Sequence, residues 1–175
     1  KKKVLILGST GMLGHQIYNY LKYNSNYHLF NISYRKKLQS DSILIDARDE
    51  NKLADSINNL KPNYIINCIG ILIRSTNEDP ENAVFLNAYL PHMLLKLANK
   101  INAKLIHFST DCVFSGNKKT PYVENDERDG EDLYAKTKIL GEINNNTHLT
   151  LRTSIVGPEL KNDGEELFHW FLKNF

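Results

Sequence analysis

Six short apolar runs alternate with helical patterns along the chain, and this alternation limits the possible folds more than any other feature. The runs are residues 4–7, 27–32, 42–45, 64–68, 104–108 and 149–152, and the helical patterns are residues 11–23, 50–60, 80–99, 133–144 and 164–174. Several runs are apolar nearly throughout, as strands buried on both faces are. Strand and helix in turn predict an α/β fold, a parallel sheet with helices on both faces. Pro91 falls inside the third helical pattern, where its missing N–H predicts a kink or a split. Residues 117–130, rich in Lys, Asp, Glu and Asn, carry no period. A long aperiodic loop in a compact domain tends to be a functional one.

The first run passes directly into Gly8-Ser9-Thr10-Gly11-Met12-Leu13-Gly14, after which the helical pattern begins. That is strand, tight glycine turn, helix. Glycines let the backbone approach a pyrophosphate, whose charge is received by the free N–H groups of the new helix and its positive dipole end. Gly8, Thr10, Gly11, Met12 and Leu13 are therefore the candidate cofactor-binding residues, and the fold expected is a Rossmann-type doubly wound parallel sheet. The spacing is Gly-x-x-Gly-x-x-Gly, and a plain glycine turn before a surface helix is the competing reading.

In such a sheet ligands bind at the carboxyl ends of the strands. The second run ends at Ser33-Tyr34-Arg35-Lys36-Lys37, the third at Asp46 and Ala47, the fourth at Cys68-Ile69-Gly70 and the fifth at Ser109-Thr110-Asp111. An acid after the second strand would meet a ribose 2′-hydroxyl, whereas Arg or Lys suits a 2′-phosphate. Arg35 and its neighbours favour NADP(H), with NAD(H) as the alternative. Asp46 is placed to accept from the adenine amino group or, equally, to cap the next turn or helix.

Tyr134 and Lys138 lie four residues apart on a helical pattern, so both project from one face. A lysine ammonium beside a phenol stabilises the phenolate and lowers its pKa from the usual value of about 10. Alone the pair is common on solvated helix faces. With Thr110 and the glycine turn in the same chain it points to an oxidoreductase.

A chain of 175 residues, 41% hydrophobic and 24% charged, can form one substantial domain. Its formal charge of +2 gives no reason to expect nucleic acid or a membrane surface as partner. No apolar stretch has the length of a membrane span and the first residues lack a signal-peptide core, so a cytoplasmic protein is expected. Cys68 and Cys112 have no metal-ligand spacing and are expected to be reduced thiols, and no metal site is expected.

The chain resembles the extended short-chain dehydrogenase/reductase superfamily and, within it, the dTDP-4-dehydrorhamnose reductase family. The resemblance rests on the glycine turn, Ile66 to Gly70, Asn87, and Phe108 to Gly116. It continues through Pro121 to Asp126, Tyr134 to Lys138 with Gly141-Glu142, and Leu151 to Gly157. Asp132-Leu133-Tyr134-Ala135 stands where Asn-Val-Tyr-Gly is common, and Cys112 where an aromatic is usual; both departures bear on substrate identity.

The resemblance implies a catalytic triad of Thr110, Tyr134 and Lys138, with Tyr134 and Lys138 also touching the cofactor. It implies NADPH-dependent reduction of the 4-keto group of a nucleotide-linked deoxysugar, for cell-surface polysaccharide synthesis, and it allows a homodimer. A nucleotide-sugar epimerase or dehydratase and a non-catalytic NADP-binding regulatory subunit are the alternatives. Asn87, Asn67 and Arg152 are expected to be structural. Residues 1–175 read as one NADP(H)-binding domain, with the part that builds most of the sugar-nucleotide pocket in relatives apparently absent. Leu167 to Leu172 is apolar enough to want a covering partner, or else to pack on its own sheet.

Overall fold

Six parallel strands form one sheet in the order β3-β2-β1-β4-β5-β6. The structure is a computed structural model that describes residues 1–161 and 167–175. The strands are β1 (Lys3–Leu7), β2 (His28–Ser33), β3 (Ile43–Leu44), β4 (Tyr64–Asn67), β5 (Lys104–Ser109) and β6 (Leu149–Arg152). The helices are α1 (Met12–Asn24), α2 (Glu50–Leu60), α3 (Ile73–Glu78), α4 (Pro80–Ala83), α5 (Leu90–Lys100), α6 (Leu133–Gly141) and α7 (Leu167–Asn174). Every strand lies within two residues of its expected limits. The architecture is the expected Rossmann-type doubly wound sheet.

The two-residue period of β1 shows why both faces are covered. Val4 and Ile6 pack with Tyr18 of α1 on one face. Leu5 and Leu7 point to the other, against Leu53 and Ile57 of α2 and Leu90 and Leu94 of α5. Leu5, Ile6 and Leu7 are fully buried, each contributing about 1.5–3 kcal/mol. The order changes direction at β1, whose neighbours β2 and β4 leave a crevice beyond their carboxyl ends.

The third helical pattern is divided, as Pro91 suggests, but the break begins upstream of it. Residues Val84–Tyr89 form a wide π-helical stretch between α4 and α5, with Leu90 N–H bonding back five residues to Phe85 O. Pro91 has no N–H for the Asn87 carbonyl four residues back. That carbonyl instead meets α6, where a Cβ built on Gly141 would lie 1.9 Å from Asn87 O. Helix α6 ends at Gly141, three residues short of its expected limit, because Glu142 turns inward to meet Arg128 and Arg152.

Residues 164–166 of the last expected helix lie outside the described residues. From Leu167 on it is α7, which contains no buried residue: Trp170, Phe171 and Leu172 are each more than half exposed. Packing of this helix on its own sheet is thus not what the structure shows. No helix among the described residues is long and apolar enough to cross a membrane.

Candidate active site

The glycine turn is held to the sheet by two bonds, Gly8 N–H and Ser9 N–H to Ile32 O at 2.9 and 3.1 Å. Helix α1 then leaves so close to the turn that a Cβ on Gly14 would sit 2.2 Å from Gly8 O. Its N-cap, Gly11, supplies no side-chain bond, and its first turn has no acid. Helices α2 and α6 differ, since Asp49 accepts from Lys52 N–H at 3.1 Å and Asp132 from Ala135 N–H at 2.6 Å. The start of α1, with Met12 and Leu13 as its first residues, thus keeps amide donors for an anion. A groove of about 360 Å³ opens over it, lined by Gly8, Thr10, Gly11, Arg35, Asp46, Ala47, Cys68, Ile69 and Gly70. The uncapped helix start and the bases at the far end of the groove fit a dinucleotide carrying an extra phosphate.

That far end contains Arg48, which is absent from the sequence expectation, and Tyr34, which the expectation gives no role. Arg48 forks onto Asp46, with Nε to Oδ1 at 3.0 Å and Nη2 to Oδ2 at 2.6 Å, and Nη2 also donates to the Tyr34 hydroxyl at 3.1 Å. Tyr34 carries the Arg35 guanidinium over its ring at 5.2 Å. The bond from Arg48 is the main reason that the Asp46 carboxyl lies below its usual range. Asp46 also accepts the Arg48 backbone N–H at 3.0 Å, so it does cap the following turn, whereas Asp49 caps α2. A base two places after Asp46 was the available signal for Arg48.

On the other side of the groove, Asp132 starts α6 and the helical repeat brings Tyr134 and Lys138 to one face, both buried. Lys138 Nζ donates to Phe108 O of β5 at 2.7 Å. The same Nζ would lie 3.7 Å from a Cβ on Gly70. This ammonium therefore sits against β5, which leads into Thr110, and beside Gly70 of the groove lining. Burial pushes its pKa down to about 8, against the pull of Glu142. Thr110 caps the tight turn Asp111–Val113, accepting from Cys112 N–H at 3.1 Å and donating to Asp111 Oδ1 at 3.2 Å. Gly130 N–H donates to Val113 O at 2.9 Å, tying the approach to α6 to that turn. Asp111 also receives the Ser154 hydroxyl, the leading cause of its lowered pKa.

Three polar residues hold the frame, as expected. Asn87 accepts from Ile71 N–H and donates to Ile71 O, both at 3.0 Å, fixing the loop after β4. Asn67 accepts from Ile69 N–H at 3.1 Å and lies 3.1 Å from His107 Nδ1, an imidazole that burial pushes down to about 3. Arg152 forks onto buried Glu142 at 2.7 and 2.8 Å, and Arg128 reaches the same carboxylate at 3.0 Å. Burial would raise the Glu142 pKa, but the hydrogen bonds it accepts from Arg152 and Arg128 hold it below its usual range.

The aperiodic loop 117–130 borders a second, open hollow of about 1320 Å³ beside Asp111 and Cys112. There Phe114 stacks on Tyr122 at 4.4 Å and carries the Arg152 guanidinium at 5.2 Å. Both cysteines are free thiols, and burial pushes the Cys68 thiol up to about 12. Among the described residues no group of three His, Cys, Asp or Glu could hold a metal ion.

Comparison with known proteins gives consistent likenesses. A profile of the RmlD substrate binding domain matches residues 2–172. The dTDP-4-dehydrorhamnose reductase of Escherichia coli K12 is 29% identical over 140 residues, which are 79% of this chain and 45% of that protein. Methionine adenosyltransferase 2 subunit beta of Xenopus laevis is 34% identical over 142 residues, 81% of this chain and 42% of that protein. The crystal structure of a dTDP-4-dehydrorhamnose reductase from Clostridium acetobutylicum aligns with a TM-score of 0.80 at 29% identity, over 98% of this chain and 58% of that one. The chain spans about half the length of the curated relatives it matches.

Proposed function

The chain belongs to the RmlD substrate binding domain family, that of the dTDP-4-dehydrorhamnose reductases, and on that premise we propose that it is an NADPH-dependent reductase of the short-chain dehydrogenase/reductase type. Its substrate is the 4-keto group of a nucleotide-linked deoxysugar. The observation that carries the reading is the position of Lys138 Nζ, 2.7 Å from Phe108 O and beside Gly70, between the glycine-turn groove and the strand end at Thr110.

Bound NADPH supplies the hydride. The chain's own residues manage the charge that develops on the carbonyl oxygen. Tyr134 gives that oxygen its phenolic proton, and Lys138, whose pKa burial lowers to about 8, remains mostly protonated at neutral pH and stabilises the tyrosinate left behind. Thr110 turns its hydroxyl from Asp111 Oδ1 toward the same oxygen and orients the carbonyl. The uncapped start of α1 holds the pyrophosphate and Arg35 the 2′-phosphate. A cytoplasmic location, a homodimer and a role in polysaccharide synthesis belong to the same proposal.

A second reading, a regulatory subunit that binds NADP(H) without turnover, is favoured by the higher identity to methionine adenosyltransferase 2 subunit beta. Titration of the protein with NADPH and NADH by nucleotide fluorescence, followed by addition of dTDP-4-dehydrorhamnose, tests both. Tighter binding of NADPH and its oxidation on adding the sugar support the reductase. Binding without oxidation supports the regulatory subunit, and binding of neither nucleotide sinks both readings.

A further inference from the structure

The turn from β3 into α2, Asp46-Ala47-Arg48-Asp49, places a second guanidinium at the Arg35 end of the groove. Arg48 is held there by unusually many bonds for a surface base. Its Nε donates to both oxygens of Asp46 at 3.0 and 3.1 Å, and its Nη2 to Oδ2 at 2.6 Å and to the Tyr34 hydroxyl at 3.1 Å. Its Cζ lies 5.7 Å from the centre of the Tyr34 ring, which carries Arg35 at 5.2 Å. Nε and Nη2 are therefore engaged, while Nη1 makes no bond among the described residues. The side chain is 49% exposed and lines the groove with Arg35 and Gly11.

A guanidinium fixed along one edge and free at the other is prepared for an anion, because its rotamers are already restricted before the ligand arrives. The groove lining carries Arg35 and Arg48 with the acids Asp46 and Asp79, Asp46 is already engaged by Arg48, and Lys36 and Lys37 follow Arg35 directly in the chain. We infer that Arg48 is a second ligand of the adenosine 2′-phosphate beside Arg35, both guanidiniums lying near the Tyr34 ring, and that Asp46 and Tyr34 are its positioning residues. Preference for the phosphorylated cofactor then comes from a pair of guanidiniums delivered by two different strand ends. Arg48 thereby sets specificity, as the guanidinium whose direction is fixed by its fork onto Asp46. The inference rests on the cofactor reading above and extends it to a residue outside the strand-two loop.

Calorimetry with adenosine 2′,5′-bisphosphate and with adenosine 5′-monophosphate isolates the extra phosphate without any turnover. For the wild-type chain the bisphosphate binds more tightly. Arg48→Ala weakens the bisphosphate by about tenfold or more and leaves the monophosphate within about twofold. Arg48→Lys, which keeps the charge but not the fork, recovers part of the loss. The Arg35→Ala/Arg48→Ala pair brings the two ligands to nearly equal affinity. The inference is overturned if Arg48→Ala weakens both ligands equally, as a mere partner of Asp46 would, or weakens neither. If wild-type protein binds the monophosphate with no preference for the bisphosphate, this inference fails while dinucleotide binding stands. If it binds neither, the cofactor reading itself falls. Thermal melting of each variant without ligand confirms that it is folded before binding is compared.

Discussion

Replacing Gly141 by alanine should destabilise the protein even though alanine is the better helix former. In an exposed helix interior the exchange gains up to about 1 kcal/mol. Here the added Cβ would lie 1.9 Å from Asn87 O and 3.3 Å from Pro91 Cγ, so α6 or the π-helical stretch must move. Overpacking of this kind costs about 1–3 kcal/mol against deformable side chains, and a backbone carbonyl is less able to yield. A net loss of about 2 kcal/mol or more is expected, which for a chain of this size lowers Tm by about 4–8 °C. Because Asn87 also holds both polar groups of Ile71 beside the groove, NADPH affinity should fall with it. Circular dichroism melts and nucleotide fluorescence titrations measure the two effects. Gly116→Ala is the control, since nothing lies within 4 Å of its Cβ and only its φ of +83° resists the change. A Gly141→Ala protein as stable as wild type would refute the close approach of α6 to Asn87.

Two further perturbations test the buried charges. Lys138 has a folded pKa of about 8, below its usual 10.5, so between these values the unfolded chain binds more protons. Wild-type stability should rise with pH from 8 to 10.5 relative to Lys138→Met, and urea midpoints across that range would show no difference in trend if the ammonium were solvated. Glu142→Gln leaves Arg128 and Arg152 without their shared carboxylate and should cost about 3–5 kcal/mol at pH 7. The folded Glu142 pKa is depressed, so its contribution is complete above the usual carboxyl pKa and is lost as pH falls through the folded value. Urea midpoints of wild type and variant should therefore converge in acid.

Much of the fold was legible because its determinants are local. The apolar runs become six strands, and α2 spans the expected residues between an Asp49 cap and Lys61, whose φ of +47° ends the helix. Helix α3 was missed because Arg74, Ser75, Thr76 and Asn77 carry no apolar period to reveal it. The π-helical stretch depends on a carbonyl that Pro91 cannot serve and on Gly141, fifty residues further along the chain. The glycine turn and the spacing of Tyr134 and Lys138 are also local, and the structure brings Lys138 Nζ beside Gly70 of the groove lining. The Phe108 carbonyl contributes through a contact between β5 and α6, and Arg48 partly through Tyr34 at the end of β2, contacts that no period encodes, although the base two places after Asp46 was readable. The apolar stripe of α7 was legible, but its exposure depends on what the rest of the fold leaves uncovered.

The most direct test of the reductase account compares wild type and Tyr134→Phe in the same two assays, NADPH binding and NADPH oxidation with dTDP-4-dehydrorhamnose. The account predicts that the variant binds NADPH within about twofold of wild type and loses at least about a hundredfold in turnover, the scale of a removed general acid. Equal turnover by the two proteins would contradict it.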